Sequence, residues 1–129
     1  MIDKLAWFCI KNKKILGARS KGQTVYYLPG GKRDPGESDQ DALIREIHEE
    51  LSVKLIRETL RHIHTFQGQA HGKPEGVLVQ LSCYAGDFQG EIKASAEIEE
   101  VSWLSFAERD QCSATMQMVL DWLKDKNLL

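Results

Sequence analysis

The chain has 129 residues, 42% of them apolar, with a formal net charge of −2. That is the size of one domain, 1–129, with a hydrophobic core of its own, and it excludes extensive disorder. A near-neutral charge with a pI near 6.1 argues against a general binder of nucleic acid or membrane surfaces, so neither a nucleic-acid polymer nor a membrane is expected as a partner.

In chain order, Met1-Ile2-Asp3-Lys4 lacks the pattern of a secretory signal, and no apolar run anywhere approaches the ~18 residues of a membrane span. Leu5 to Ile10 is an apolar run of strand length, Lys11-Asn12-Lys13-Lys14 a turn, and Ile15 to Arg19 a returning strand. Val25 to Leu28 reads as a third strand. A helix follows, considered below, and then a strand over Leu60 to Phe66 and a polar loop over Gly68 to Gly76. Val77, Val79, Leu81 and Cys83 alternate with polar residues as in a half-buried strand, and Glu100 to Leu104 gives a last short one. Met116, Val119, Leu120 and Leu123 recur at helical spacing, so a C-terminal helix closes the core. Few helices and many strands in mixed order predict an α/β fold with a mixed sheet between helices. Cys9, Cys83 and Cys112 are odd in number and lack metal-type spacing, which points to reduced thiols and a cytoplasmic location.

The chemistry concentrates between residues 28 and 53. Pro29 to Glu37 holds three glycines and two prolines, which cannot continue a strand or start a long helix, so a tight loop with exposed backbone is expected. Lys32 and Arg33 add charge suited to phosphate. Ser38 is a good N-cap, with Asp41 in a capping-box position and Asp39 favourable in the first turn. In the helix, Glu46, Glu49 and Glu50 cover an arc roughly 100° wide, beside an apolar flank of Leu43, Ile44, Ile47 and Leu51. Like charges three or four apart destabilise a helix unless something neutralises them. A divalent cation would, since hard oxygen ligands suit Mg2+, Mn2+ or Ca2+. An acidic helix alone is ordinarily a solvated stripe; the glycine loop in front of this one favours the cation.

Gly31, Glu37, Arg45, Glu46, Ile47, Glu49, Glu50 and Val53 resemble the Nudix box: glycine, five residues, glutamate, seven residues, then Arg-Glu-aliphatic-any-Glu-Glu-any-Gly-aliphatic. Ser52 departs from it, standing where that family has glycine, which would close the helix in a left-handed conformation. The resemblance implies an α/β/α sandwich and hydrolysis, with Mg2+ or Mn2+, of a nucleoside diphosphate linked to another moiety. A nucleoside triphosphate cleaved to monophosphate and pyrophosphate is the expected case. A nucleoside-diphosphate sugar, or a Nudix-fold sensor that binds nucleotide without hydrolysing it, are the alternatives. Carried over residue by residue, Glu46, Glu49 and Glu50 would hold metal, Glu37 would assist, and Arg45 would orient the glutamates. The general base in that family is a box glutamate or one from a later loop; Glu97, ahead of Trp103, is the expected candidate of the second kind.

For substrate contacts, Gly30, Gly31 and Lys32 belong to the loop, and Arg19 resembles a family arginine that meets phosphates. Gln67, Gln69, His71 and Lys73 cluster where a loop between strands could reach a base, sugar or distal phosphate. Tyr27 reads as a core or rim aromatic, Trp7, Trp103 and Trp122 as core, and His48 and His62 as surface or packing residues. Exposed strand edges would allow a homodimer.

Overall fold

The computed structural model describes residues 1–129. Its elements in chain order are strands β1 (Ile2–Phe8), β2 (Ile10–Lys11), β3 (Lys14–Ser20) and β4 (Gly30–Gly31), then helix α1 (Asp39–Leu51). There follow β5 (Lys54–Leu55), β6 (Arg61–Gln69), β7 (Leu78–Ala85), β8 (Phe88–Gln89), β9 (Ile98–Leu104) and helix α2 (Ala114–Asp125). One sheet has the order β4-β1-β7-β6, with β1 parallel to β7 and the other pairs antiparallel. A second sheet runs β2-β3-β9, and β5 pairs with β8.

The two-residue period of a strand explains the layers. Leu5 and Trp7 of β1 pack with Ala42, Leu43, Ile47 and Leu51 of α1, whereas Ala6 and Phe8 join the cluster of Met116, Val119, Leu120 and Leu123 from α2. Strand β1 is thus covered on both faces, and the sheets lie between helices as an α/β/α sandwich. Ser38 caps α1, its hydroxyl accepting from the Asp41 amide at 3.1 Å. The Asp41 carboxylate does not complete a capping box; it pairs with Arg57 instead.

Several boundaries differ from expectation. Val25–Leu28 is not a strand: Tyr26 and Tyr27 make only isolated bridges, to Cys112 and Ala18, and the pairing with β1 passes to Gly30–Gly31. The first run starts earlier and breaks at Cys9, so its two halves serve different sheets. Gly68 and Gln69 belong to β6, β7 begins at Leu78, and β9 begins at Ile98. Of the tryptophans, Trp7 is fully buried, while Trp103 and Trp122 are half-buried at the margins of the two clusters. All three cysteines are free, and burial pushes their thiols up, Cys9 and Cys112 each to about 11, which leaves them inert.

Candidate active site

Ser52 closes α1 in the left-handed conformation (φ 65°), so serine makes the turn that the box glycine would make. The helix then leaves its last carbonyls free, and the segment between β8 and β9 takes them: the Lys93 amide donates to Leu51 O at 2.9 Å and the Ser95 amide to Glu50 O at 2.9 Å. Docked in this way, the segment delivers Glu97 to the end of α1, and Glu97 O in turn accepts from the Lys21 amide at 2.9 Å.

The two glycines of β4 allow two close approaches, by the Glu46 carboxylate at Gly31 and by the β1 main chain at Gly30. A Cβ on Gly31 would stand 2.5 Å from Glu46 Oε2, and one on Gly30 would stand 2.1 Å from Leu5 O. The Gly30 amide donates to Glu50 Oε1 at 3.2 Å. Glu50 is 3% exposed, and burial pushes its carboxyl up to about 9; the charges of Glu46 and Glu97 add to this while the Gly30 amide opposes it. Glu46, Glu50 and Glu97 line one cleft of about 620 Å³, together with Gly30, Gly31, Lys32, Tyr27 and His71.

Arg45 organises the outer side. It grips Glu37 with two bonds of 2.9 and 2.8 Å, Glu46 Oε1 at 2.7 Å and Lys32 O at 3.1 Å. That grip and the Asp34 amide hold the Glu37 carboxyl down at about 2. Glu49 lies 3.7 Å from Arg45 with its side chain 53% exposed, and neither it nor Glu37 lines the cleft. The expected trio is therefore not drawn to one point, and no three carboxylate, histidine or cysteine groups stand close enough to enclose an ion. The reason is local: Glu46 and Glu49 turn toward the Arg45 guanidinium. The chemistry of the donors nonetheless fits Mg2+ or Mn2+, with all-oxygen ligands, a buried carboxylate holding one backbone partner, and a glycine cradle under Glu46.

Four expected substrate residues lie elsewhere or do other work. Arg19 is committed to Glu99 (2.8 Å) and Glu100 (3.0 Å) on β9 and does not line the cleft. Gln69 points into its own loop, donating to Ala70 O, Lys73 O and Pro74 O and accepting from the Gly76 amide. Gln67 bonds Gln80 across the strands. Arg33 pairs with Asp3 and Asp39. His71 does line the cleft, with Nδ1 accepting from the Ala114 amide at the start of α2 (3.1 Å).

A NUDIX-domain family model matches residues 5–123. The chain belongs to the NUDIX hydrolase family. Over 109 residues it is 28% identical to the CTP pyrophosphohydrolase of Escherichia coli, a match covering 81% of this chain and 76% of that protein. Over 83 residues it is 36% identical to the NAD-capped RNA hydrolase NudC of Pseudomonas fluorescens, covering 63% of this chain and 27% of that protein, so it spans only about a quarter of that relative's length. The crystal structure of a MutT NUDIX hydrolase from Burkholderia pseudomallei superposes with a TM-score of 0.72 at 22% identity, covering 93% of this chain and 95% of that one, which shows the NUDIX fold.

One lysine of the cleft carried no signal in the sequence of this NUDIX chain, and another was not set apart from its neighbours. Lys4 looked like an ordinary polar residue of a strand start, yet it lines the cleft. Its only signal was alternation, since it shares a strand face with Ala6. Lys73 was one of several polar loop residues, and nothing in the sequence set it above Gln69.

Proposed function

We propose that this NUDIX chain is a metal-dependent pyrophosphohydrolase that cleaves a nucleoside triphosphate to the monophosphate and pyrophosphate. The observation that carries the reading is one cleft in which Glu46, Glu50 and Glu97 stand with Lys4, Lys32 and Lys73. Carboxylates suit a hard cation and ammonium groups suit phosphate, so the two sets together describe a place for a charged anhydride with its metal. The likeness to a CTP pyrophosphohydrolase over most of both chains supports a triphosphate.

Glu46 and Glu50 would hold the cation, which supplies neutralisation of the phosphate oxygens and a more acidic attacking water. Arg45 keeps Glu46 in place through the 2.7 Å bond and is itself fixed by Glu37, so Glu37 acts on the site at one remove. Glu49, beside the same guanidinium but outside the cleft lining, would have to turn from Arg45 to join Glu46 and Glu50 as a ligand. Glu97, whose carbonyl accepts from the Lys21 amide while nearby Ser95 is bonded to Glu50 O, would take a proton from the attacking water. Lys32 stands where it can balance charge on the phosphates, and Tyr27, its hydroxyl bonded to Ser20, offers an aromatic face to a base.

The test is product analysis with Mg2+ across nucleoside triphosphates, sugar nucleotides and dinucleoside polyphosphates in 18O-labelled water. Monophosphate plus pyrophosphate from a triphosphate is the expected result, with the label identifying the attacked phosphorus. Absence of cleavage across the whole panel would overturn the reading.

A further inference from the structure

Lys4, Lys32 and Lys73 come from a strand, a glycine loop and a second loop, and all three side chains line the same cleft. None has a carboxylate partner within ion-pair distance, although Glu46, Glu50 and Glu97 line the same cleft. Three unpaired cations in one concavity repel each other, and the fold brings them there by construction. Burial and then the charges of Lys32 and Lys73 hold the Lys4 ammonium below its ordinary value, opposed by Glu50 and Glu46, all of which line the same cleft.

Lys73 is held there by a device. Gln69 uses its amide to bind three carbonyls of the 70–76 turn, including that of Lys73 at 3.2 Å, and its oxygen to take the Gly76 amide at 3.0 Å. His71 ties the same turn to the start of α2. A loop stapled at both ends fixes the main chain from which the Lys73 side chain extends, so less of the backbone must be ordered on binding.

We infer that Lys4 and Lys73 form a polyphosphate subsite that selects substrates ending in a free, unesterified phosphate over those capped at that end by a sugar or second nucleoside. The inference rests on the cleft being the substrate site, as read above. A terminal phosphate carries an additional negative charge and unblocked oxygens, and two converging ammonium groups recognise both. A cap removes that charge and leaves the lysines unpaired. Gln69 is a positioning residue acting through Lys73.

Calorimetric titration of the full chain with inorganic pyrophosphate in EDTA tests the subsite without metal or turnover. Wild-type protein should bind; Lys4→Met and Lys73→Met should each weaken binding about ten-fold, the loss of one charge-assisted hydrogen bond. Lys11→Met, at a residue that lines a different pocket, should not. Gln69→Leu should reproduce the loss seen in Lys73→Met, and combining the two should add little. In Mg2+, the kcat/KM preference for a nucleoside triphosphate over a nucleoside-diphosphate sugar should narrow by a similar factor in each lysine variant. No pyrophosphate binding by the wild type, or unchanged affinity in either lysine variant, would overturn the inference. Binding lost as expected in a chain that cleaves no nucleotide would sink the hydrolytic reading and leave the subsite standing.

Discussion

A carboxyl group left 3% exposed, with two more beside it in the same cleft, works against folding at neutral pH, because the unfolded chain would ionise it and the folded one does not. Glu50 is kept there by the end of α1 and by one amide, which makes its role and its stability effect separable. Replacing it by glutamine keeps shape and the acceptor for Gly30 but removes the ionisable group, and with it the proton that the folded state must take up at neutral pH. Glu50→Gln should therefore lower turnover with Mg2+ on the order of 100-fold or more, while raising the melting temperature measured in EDTA. A residue without a part in catalysis would show the stabilisation but not the loss of turnover. The pH dependence follows from the same burial. Its carboxyl titrates near 9 in the folded chain against an ordinary 4.5, so between those values the native state holds a proton that the unfolded chain releases. Stability in EDTA should fall as pH rises from about 5 to about 9. Mn2+ should flatten that slope by stabilising the ionised form. Denaturant titrations at pH 5.5, 7 and 8.5, with and without Mn2+, would expose a slope of the wrong sign.

At the level of elements, the end of α1 shows how a broken pattern can leave a structure intact. Ser52 takes a φ of 65°, a conformation that costs an L-residue about 1 kcal/mol and glycine nothing. Its hydroxyl recovers little, reaching Lys93 O only at 3.4 Å. Ser52→Gly should thus stabilise the protein by up to about 1 kcal/mol with kcat/KM unchanged, in chemical denaturation alongside an activity assay. A destabilised variant would mean that the hydroxyl, rather than the backbone, holds the segment leading to Glu97. Elements whose stability is local were legible in the sequence. The Ser38 cap, the apolar flank of α1, the alternation in β7 and the spacing in α2 all follow from neighbours along the chain. Pairing of β1 with Gly30–Gly31 was not, because two glycines have no strand propensity; they pair because Leu5 O and Glu46 leave no room for a Cβ. The same limit hid Gln69, whose partners are main-chain atoms that a turn brings back to it. It also misjudged Arg19, since the register of β3 against β9, with Arg19 opposite Glu100, decides its partner.

On the scale of the whole molecule, the site depends on both halves of the sandwich. Glu46 and Glu50 come from α1, Met116 and His71 reach the cleft from the α2 side, and β1 carries Lys4 between them. The α1 and α2 clusters are distinct, yet Leu5 and Trp7 belong to one and Ala6 and Phe8 to the other, so a single strand is shared wall to wall. Loosening one layer must therefore expose the strand that the other layer packs on. Leu43 and Leu120 are both fully buried, one in each cluster. Leu43→Ala and Leu120→Ala should each cost about 2–5 kcal/mol. Either change should also lower hydrogen-exchange protection in α1 and α2 together, because the shared strand makes them one cooperative unit. Selective loss of protection in α1 from Leu43→Ala, with α2 and β7 unmoved, would separate the layers. The acidic half of the cleft would then be able to open alone, and Lys4 would no longer be fixed relative to Glu50.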